Sequence, residues 1–151
     1  MFLLHNHQYA VSESGVLLGG NFLMKKIIAH EELCIGCGNC ERVCSRMFFK
    51  KEDKMRSAIR VSERLNGSKR VDICDQCGDC AVMCAAMAIK KTPNGVWMID
   101  KRKCVGCLIC VAECVKDCMH YNNEERYVFK CIACGQCVKE CPTGALELVE
   151  E

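Results

Sequence analysis

Large side chains are scarce in this sequence. Aromatic residues make up 6% of its 151 positions and tryptophan occurs once, which excludes a core built mainly on aromatic packing. The 50% hydrophobic share includes 17 cysteines, so the apolar core is thinner than that figure implies, and small domains of this kind need covalent or metal staples. No apolar run reaches the ~18 residues of a membrane span, so direct membrane insertion is not expected. The opening residues, MFLLHNHQYAVSESGVLLGG, hold no basic n-region, sustained apolar stretch or twin arginine; no export signal is read, and the expected location is cytoplasmic. Catalytic triads, phosphate loops and substrate-pocket signatures are also missing. The four histidines, His5, His7, His30 and His120, have no paired ligand spacing, and no metal role is assigned to them.

Cysteine is what the sequence has in abundance, and it is periodic. Four runs share the spacing C-x2-C-x2-C-x3-C: Cys34, Cys37, Cys40, Cys44; Cys74, Cys77, Cys80, Cys84; Cys104, Cys107, Cys110, Cys114; and Cys131, Cys134, Cys137, Cys141. Disulfides, zinc and iron–sulfur clusters compete for such residues. A reducing compartment disfavours disulfides, and zinc usually takes two separated pairs rather than three closely spaced thiols and a fourth. The repeated run is similar to that of bacterial ferredoxins, in which three thiolates hold one cubane and the fourth ligates the other cluster of the pair. Four [4Fe-4S] clusters are the favoured reading, with zinc second and disulfides third. Gly36, Gly38, Gly78, Gly106 and Gly135 flank the second cysteines, where a loop folding over a cluster needs glycine dihedrals, although tight turns alone would ask for the same residue.

The gaps between runs suggest how they pair. Nineteen residues, AAMAIKKTPNGVWMIDKRK, separate Cys84 from Cys104 and read as a hairpin with a TPNG turn, joining motifs two and three in one module. MKKIIAH before motif one and GALELVE after motif four are strand candidates that would pair as the termini of a second module. The expected fold class is α+β, with two nested bacterial-ferredoxin-like 2[4Fe-4S] modules of short β-hairpins and short helices. Residues 24–70 and 115–151 form the outer module (motifs one and four), and 71–114 the inner one (motifs two and three). On this pairing Cys34, Cys37 and Cys40 share a cluster with Cys141, and Cys131, Cys134 and Cys137 share one with Cys44. In the inner module Cys74, Cys77 and Cys80 go with Cys114, and Cys104, Cys107 and Cys110 with Cys84. A tandem arrangement, one with two and three with four, is the alternative; it must span the 29 residues between Cys44 and Cys74.

Residues 1–23 read as a non-native or disordered leader: they carry one acidic residue, Glu13, no lysine or arginine and no motif. Met24 is the expected start, and the GGNFLM before MKK is what a translated ribosome-binding sequence, spacer and start codon would spell.

Nesting, four clusters and the stretch CSRMFFKKEDKMRSAIRV after motif one together resemble the iron–sulfur subunits that serve molybdopterin and tungsten oxidoreductases, carbon monoxide dehydrogenases and hydrogenases. The resemblance runs from about Met24 to Val149. The compact motif two, CDQCGDCAVMC, is most similar to polyferredoxin subunits associated with tungsten-dependent aldehyde oxidoreductases. Pro142 follows Cys141 as in ferredoxins, whereas Ser45, Ala85 and Val115 stand at the matching places of the other motifs. The resemblance implies an anaerobic electron-transfer subunit rather than an enzyme, relaying electrons between a catalytic oxidoreductase subunit and another redox partner. It assigns the sixteen cysteines as metal ligands and no catalytic residue. A free-standing soluble polyferredoxin, or a subunit of carbon monoxide dehydrogenase or hydrogenase, is the alternative.

Cys118, the seventeenth cysteine, lies four after Cys114 and reads as a buried free thiol, with a substitute ligand as the sharper alternative. Trp97 reads as cover for the adjacent clusters. Residues 50–70 carry eight basic and three acidic side chains, a local +5; a solvated loop and helix face is the default reading and a docking surface for an acidic partner the functional one. No aromatic interleaving points to nucleic acid. Each oxidised cubane with four thiolates carries about −2, so four would take the +2 chain to about −6, and all-cysteine ligation favours low potentials. A chain shortened to begin at Met24 is expected to keep its full iron content and its melting temperature, as measured by metal analysis and circular dichroism.

Overall fold

The computed structural model describes residues 24–151; the expectation for the leader concerns residues outside these. In β1 (Lys25–Ala29) Ile27 turns inward at 2% exposure, because side chains alternate across a strand. A 3-10 turn over Glu31–Leu33 leads into the first cysteine loop. Helix α1 (Asn39–Phe49) starts after Gly38 and stops where Lys50 enters the left-handed region, its N–H donating to the Arg46 carbonyl. Such a left-handed cap satisfies a carbonyl at the helix end.

Residues 50–70 are more ordered than the loop and helix face expected of them. A 3-10 turn at Lys54–Arg56 precedes β2 (Arg60–Glu63), which pairs antiparallel with β3 (Lys69–Asp72). This hairpin escapes a sequence reading because RVSE and KRVD show little apolar alternation; Val61 opposite Val71 is its apolar pair. Several of the basic side chains are met by carboxylates, most of them brought in from elsewhere. Lys51 and Arg56 face Glu124, Lys54 faces Glu41, Arg64 faces Glu31 and Arg70 faces Asp72. The local +5 is therefore not a +5 surface, and the acidic-partner reading of this segment loses its support.

The second half repeats one pattern twice. Helix α2 (Asp79–Val82) is followed by the hairpin β4 (Ile89–Lys91) and β5 (Trp97–Ile99). Helix α3 (Ile109–Ala112) is followed by β6 (Met119–His120), paired with β7 (Phe129–Lys130). Helix α4 (Gln136–Glu140) and β8 (Leu146–Glu150) complete the chain, and β8 pairs antiparallel with β1, Ala29 opposite Leu146 and Lys25 opposite Glu150. Among the described residues the sheets are four separate two-stranded ribbons, each too small to be stable alone. What joins them is two cores: Ile27, Ala58, Ile59, Phe129 and Leu146 in one, Ala88, Ile89, Met119 and Val128 in the other. Phe48, Phe49 and Phe129 form an aromatic knot in the first, with Phe49 edge-on to Phe129 at 4.9 Å. Cysteines belong to both cores, and Cys114 packs against each.

His120 on β6 is 7% exposed, its ring centroid 5.6 Å from that of Phe129, and its Nε2 has no partner. Burial, reinforced by the Arg60 charge, holds its pKa down at about 4, against an opposing backbone hydrogen bond at Ala58 and the more distant Asp117. The folded state thus keeps the ring neutral where the unfolded chain, near 6.5, takes a proton. Stability from this residue is complete above about pH 6.5 and is lost as the pH falls toward 4, by up to about 3 kcal/mol. His120→Phe should flatten that part of the acid unfolding curve, followed anaerobically by circular dichroism, relative to the unmodified protein.

Candidate metal centres

All four cysteine loops share one backbone device. The residue two after the first cysteine has a positive φ: Gly36 (71°), Gln76 (64°), Gly106 (69°) and Ala133 (52°). So has the residue two further on: Gly38 (74°), Gly78 (93°), Leu108 (63°) and Gly135 (77°). Left-handed turns at this spacing curl the loop and aim backbone N–H groups into its concave side, then release the chain into the short helix that carries the third cysteine. Three of the eight positions are not glycine, each at a cost of roughly 1–2 kcal/mol. The second cysteines, Cys37, Cys77, Cys107 and Cys134, are exposed, whereas the first and third of each motif are buried or half-buried.

The fourth cysteine of each motif goes to another motif's cavity. Cys34, Cys37, Cys40 and Cys141 line one cavity, and Cys131, Cys134, Cys137 and Cys44 line a second. Cys74, Cys77, Cys80 and Cys114 line a third, and Cys104, Cys107, Cys110 and Cys84 a fourth. The thiols surround these spaces rather than meet at a point: among the described residues no three His, Cys, Asp or Glu side chains converge as on a single ion. A mononuclear zinc would draw four ligands to about 2.3 Å from one centre, while in a cubane each thiolate binds a different iron and the sulfurs stand apart. The donor set and its spread fit a [4Fe-4S] group.

Backbone amides already point at the sulfurs. Ala58 N–H donates to Cys44 Sγ, Ala88 to Cys84, Cys118 to Cys114 and Ala133 to Cys131, all at 3.3 Å, and Gln76 to Cys74 at 3.4 Å. Such donors stabilise sulfur that carries negative charge. Without it, burial pushes Cys40 and Cys131 up to about 12 and Cys80 and Cys110 up to about 11, so metal loading must displace protons. At Cys141 burial also acts upward, but hydrogen bonds from Thr143, Ala145 and Leu146 outweigh it and hold the thiol below its ordinary value.

Packing orders the four centres. Cysteines of the Cys34, Cys131 and Cys74 cavities share one core, and Cys80 packs with Cys104 and Cys110 against the other. Motifs one and four exchange their fourth cysteines, and Lys130 donates to both Cys74 Sγ and the Cys131 carbonyl, so the neighbours run from the Cys34 cavity through the Cys131 and Cys74 cavities to the Cys104 cavity.

Cys118 sits in the turn before β6 rather than on a helix, because α3 ends at Ala112. It is buried, its thiol donates to the Lys116 carbonyl at 3.0 Å, and it lines the Cys74 cavity. Trp97 covers the same motif: a Cβ on Gly78 would come within 2.6 Å of its indole ring. Two side chains that the sequence reading passed over lie between centres. Lys130 and Gln76, 3% and 1% exposed, are hydrogen-bonded to each other at 2.7 Å. A signal for Gln76 was present, since it stands where motifs one and three carry glycine.

The family model of the 4Fe-4S binding domain matches residues 27–46 and 128–147, which hold motifs one and four. The sequence matches no curated protein. Among solved structures the chain is similar to one titled "Active site complex BamBC of Benzoyl Coenzyme A reductase in complex with Benzoyl-CoA", with 19% identity, a TM-score of 0.48, and 85% of this chain and 81% of that chain covered. The two stretches matched by the 4Fe-4S binding domain, with the short helices and short hairpins, fit a small ferredoxin-like α+β iron–sulfur protein.

Two glycines separate backbone strain from crowding. A Cβ at Gly106 would run into the Arg126 carbonyl, whereas one at Gly144, also at positive φ, meets nothing within 4 Å. Gly144→Ala should cost roughly 1–2 kcal/mol and leave iron content unchanged. Gly106→Ala should cost more and lower the iron content, both read by metal analysis and thermal unfolding.

Proposed function

We propose that this chain transfers electrons through four [4Fe-4S] clusters, within an oxidoreductase complex whose catalytic chemistry belongs to another subunit. The observation that carries the reading is the grouping of the sixteen motif cysteines into four cavities, each with three thiols from one motif and one from another, with Cys118 a fifth cysteine at the Cys74 cavity. The ligand sets are Cys34, Cys37, Cys40 and Cys141; Cys131, Cys134, Cys137 and Cys44; Cys74, Cys77, Cys80 and Cys114; Cys104, Cys107, Cys110 and Cys84. Motifs one and four form the outer module and motifs two and three the inner. A bound cubane supplies reversible one-electron chemistry at low potential. The chain's own part is to hold the thiolates, to donate backbone N–H groups to them, and to keep water from all but the outermost sulfurs. Neighbour order supports a linear relay with the Cys34 and Cys104 centres at its ends, where Ile35 and Val105 present apolar rims.

The partner on this reading is a catalytic subunit of the tungsten or molybdenum class, with the tungsten-dependent aldehyde oxidoreductases favoured by the compact second motif. Electrons pass between it and a second redox protein at the other end. Among the described residues no helix is long and apolar enough to cross a membrane.

Anaerobically purified protein should hold about sixteen irons and sixteen sulfides; stoichiometric zinc with little iron would refute the reading. Cys141→Ala should damage the cluster of Cys34, Cys37 and Cys40 and leave that of its own motif intact, seen by electron paramagnetic resonance (EPR) and iron count. Damage confined to the cluster of Cys104, Cys107 and Cys110 would instead establish the tandem arrangement.

A further inference from the structure

Lys130 is a cation where the fold has no ordinary use for one. It is 3% exposed, on β7, immediately before Cys131. Its Nζ donates to Gln76 Oε1 at 2.7 Å, to the Cys131 carbonyl at 3.0 Å and to Cys74 Sγ at 3.6 Å. Three acceptors use all three N–H bonds of an ammonium, and none of the three is a carboxylate. The other buried cation among the described residues, Arg56, by contrast faces Asp53 and Glu124. A buried charge without a counter-ion is strongly unfavourable, so the negative charge that balances Lys130 has to reside at the sulfur it touches.

Gln76 holds that ammonium in place, and the chain accepts strain to keep it there. Motifs one and three use glycine at this left-handed position; motif two uses glutamine at φ 64°. Its Oε1 also accepts from Trp97 N–H at 3.1 Å, and its Nε2 donates to the Cys131 carbonyl at 2.9 Å. Every polar atom of the amide is engaged, so the side chain has one orientation. Lys130 and Gln76 together join the loop of motif two to the first cysteine of motif four, at the junction between the two middle centres.

We propose that Lys130 sets the reduction potential of the Cys74, Cys77, Cys80 and Cys114 cluster above those of its neighbours, making it the point in the relay where an electron rests. The inference rests on the four-cluster reading above. Reduction of this centre adds one electron from an external low-potential donor; no bond breaks and no proton moves. The added negative charge lies beside the fixed positive charge, with little water to screen it, and the reduced form gains more than the oxidised form. The other three centres receive backbone N–H donors but no buried ammonium among the described residues. The Cys131 cluster lies on the carbonyl side of the same lysine and should feel a smaller effect of the same sign.

The test uses the full chain purified anaerobically, poised with dithionite and mediators and followed by EPR. Lys130→Met keeps length and removes charge, Lys130→Arg keeps charge, and Gln76→Glu puts a carboxylate against the ammonium. Cys77→Ser identifies the motif-two signal. In Lys130→Met, with iron at the unmodified level, the motif-two couple should shift negative by at least a tenfold change in its reduction equilibrium, about 59 mV for one electron. The Cys131 couple should shift less and the outer two hardly at all. Gln76→Glu should shift the same couple in the same direction, while Lys130→Arg should stay near the starting potential. Full iron with unmoved potentials, or equal shifts in all four couples, would overturn the proposal. Loss of the motif-two cluster in both neutralising variants would also overturn it and leave Lys130 a structural brace. An unmodified protein without iron would fail the cluster reading itself, which the metal count distinguishes from either outcome.

Discussion

Negatively charged sulfur inside a thin core is the constraint on which this structure depends. Thiolates are stable in a dry interior only with hydrogen bonds and a balancing positive charge, and the repeated left-handed turns meet the first requirement with main chain alone. That is why the same pair of positive-φ positions recurs in four loops of different sequence. It also explains how a chain with so few large side chains builds two cores, since cysteines are members of both.

Closure of the chain on itself follows from the same demand. Ala29 opposite Leu146 in the β1–β8 ribbon, extended by His30 N–H donating to the Ala145 carbonyl at 2.8 Å, carries Cys141 to the loop of motif one. Packing of α1 on α4 brings Cys44 to the loop of motif four. The hairpin β4–β5 does the corresponding work for motifs two and three, and Trp97 at the start of β5 closes over Gly78. Each terminal ribbon or hairpin is weak alone. Its position is specified by which cysteine it delivers.

Polar side chains inside the molecule fall into two kinds. Glu41 is an internal clamp: it is buried on α1, accepts from Val61 N–H at 3.1 Å and faces Lys54 at 3.2 Å, tying the helix to the β2–β3 hairpin. Lys130 and Gln76 satisfy each other yet leave a net positive charge beside Cys74, which is a property a purely structural brace would not need. The many ion pairs of residues 50–70 are largely exposed and contribute little each; their effect is to leave the outer face without a strong field.

The cysteine spacing by itself determined the chemistry class, because thiols at that spacing on a glycine-rich loop can wrap a cubane and suit little else. The α+β character was legible in other segments, KKIIA, the TPNG hairpin and LELVE, where strand alternation and turn residues are local signals. Local signals were insufficient for β2–β3 and β6–β7, whose strands are charged or only two residues long. The charge of residues 50–70 was misleading for the same reason, since Glu31, Glu41 and Glu124 reach it only through folding. The meeting of Lys130, Gln76 and Cys74 was decided by tertiary structure alone: the lysine and the glutamine are 54 positions apart, and no periodicity along a chain records which buried cation will be left without a carboxylate.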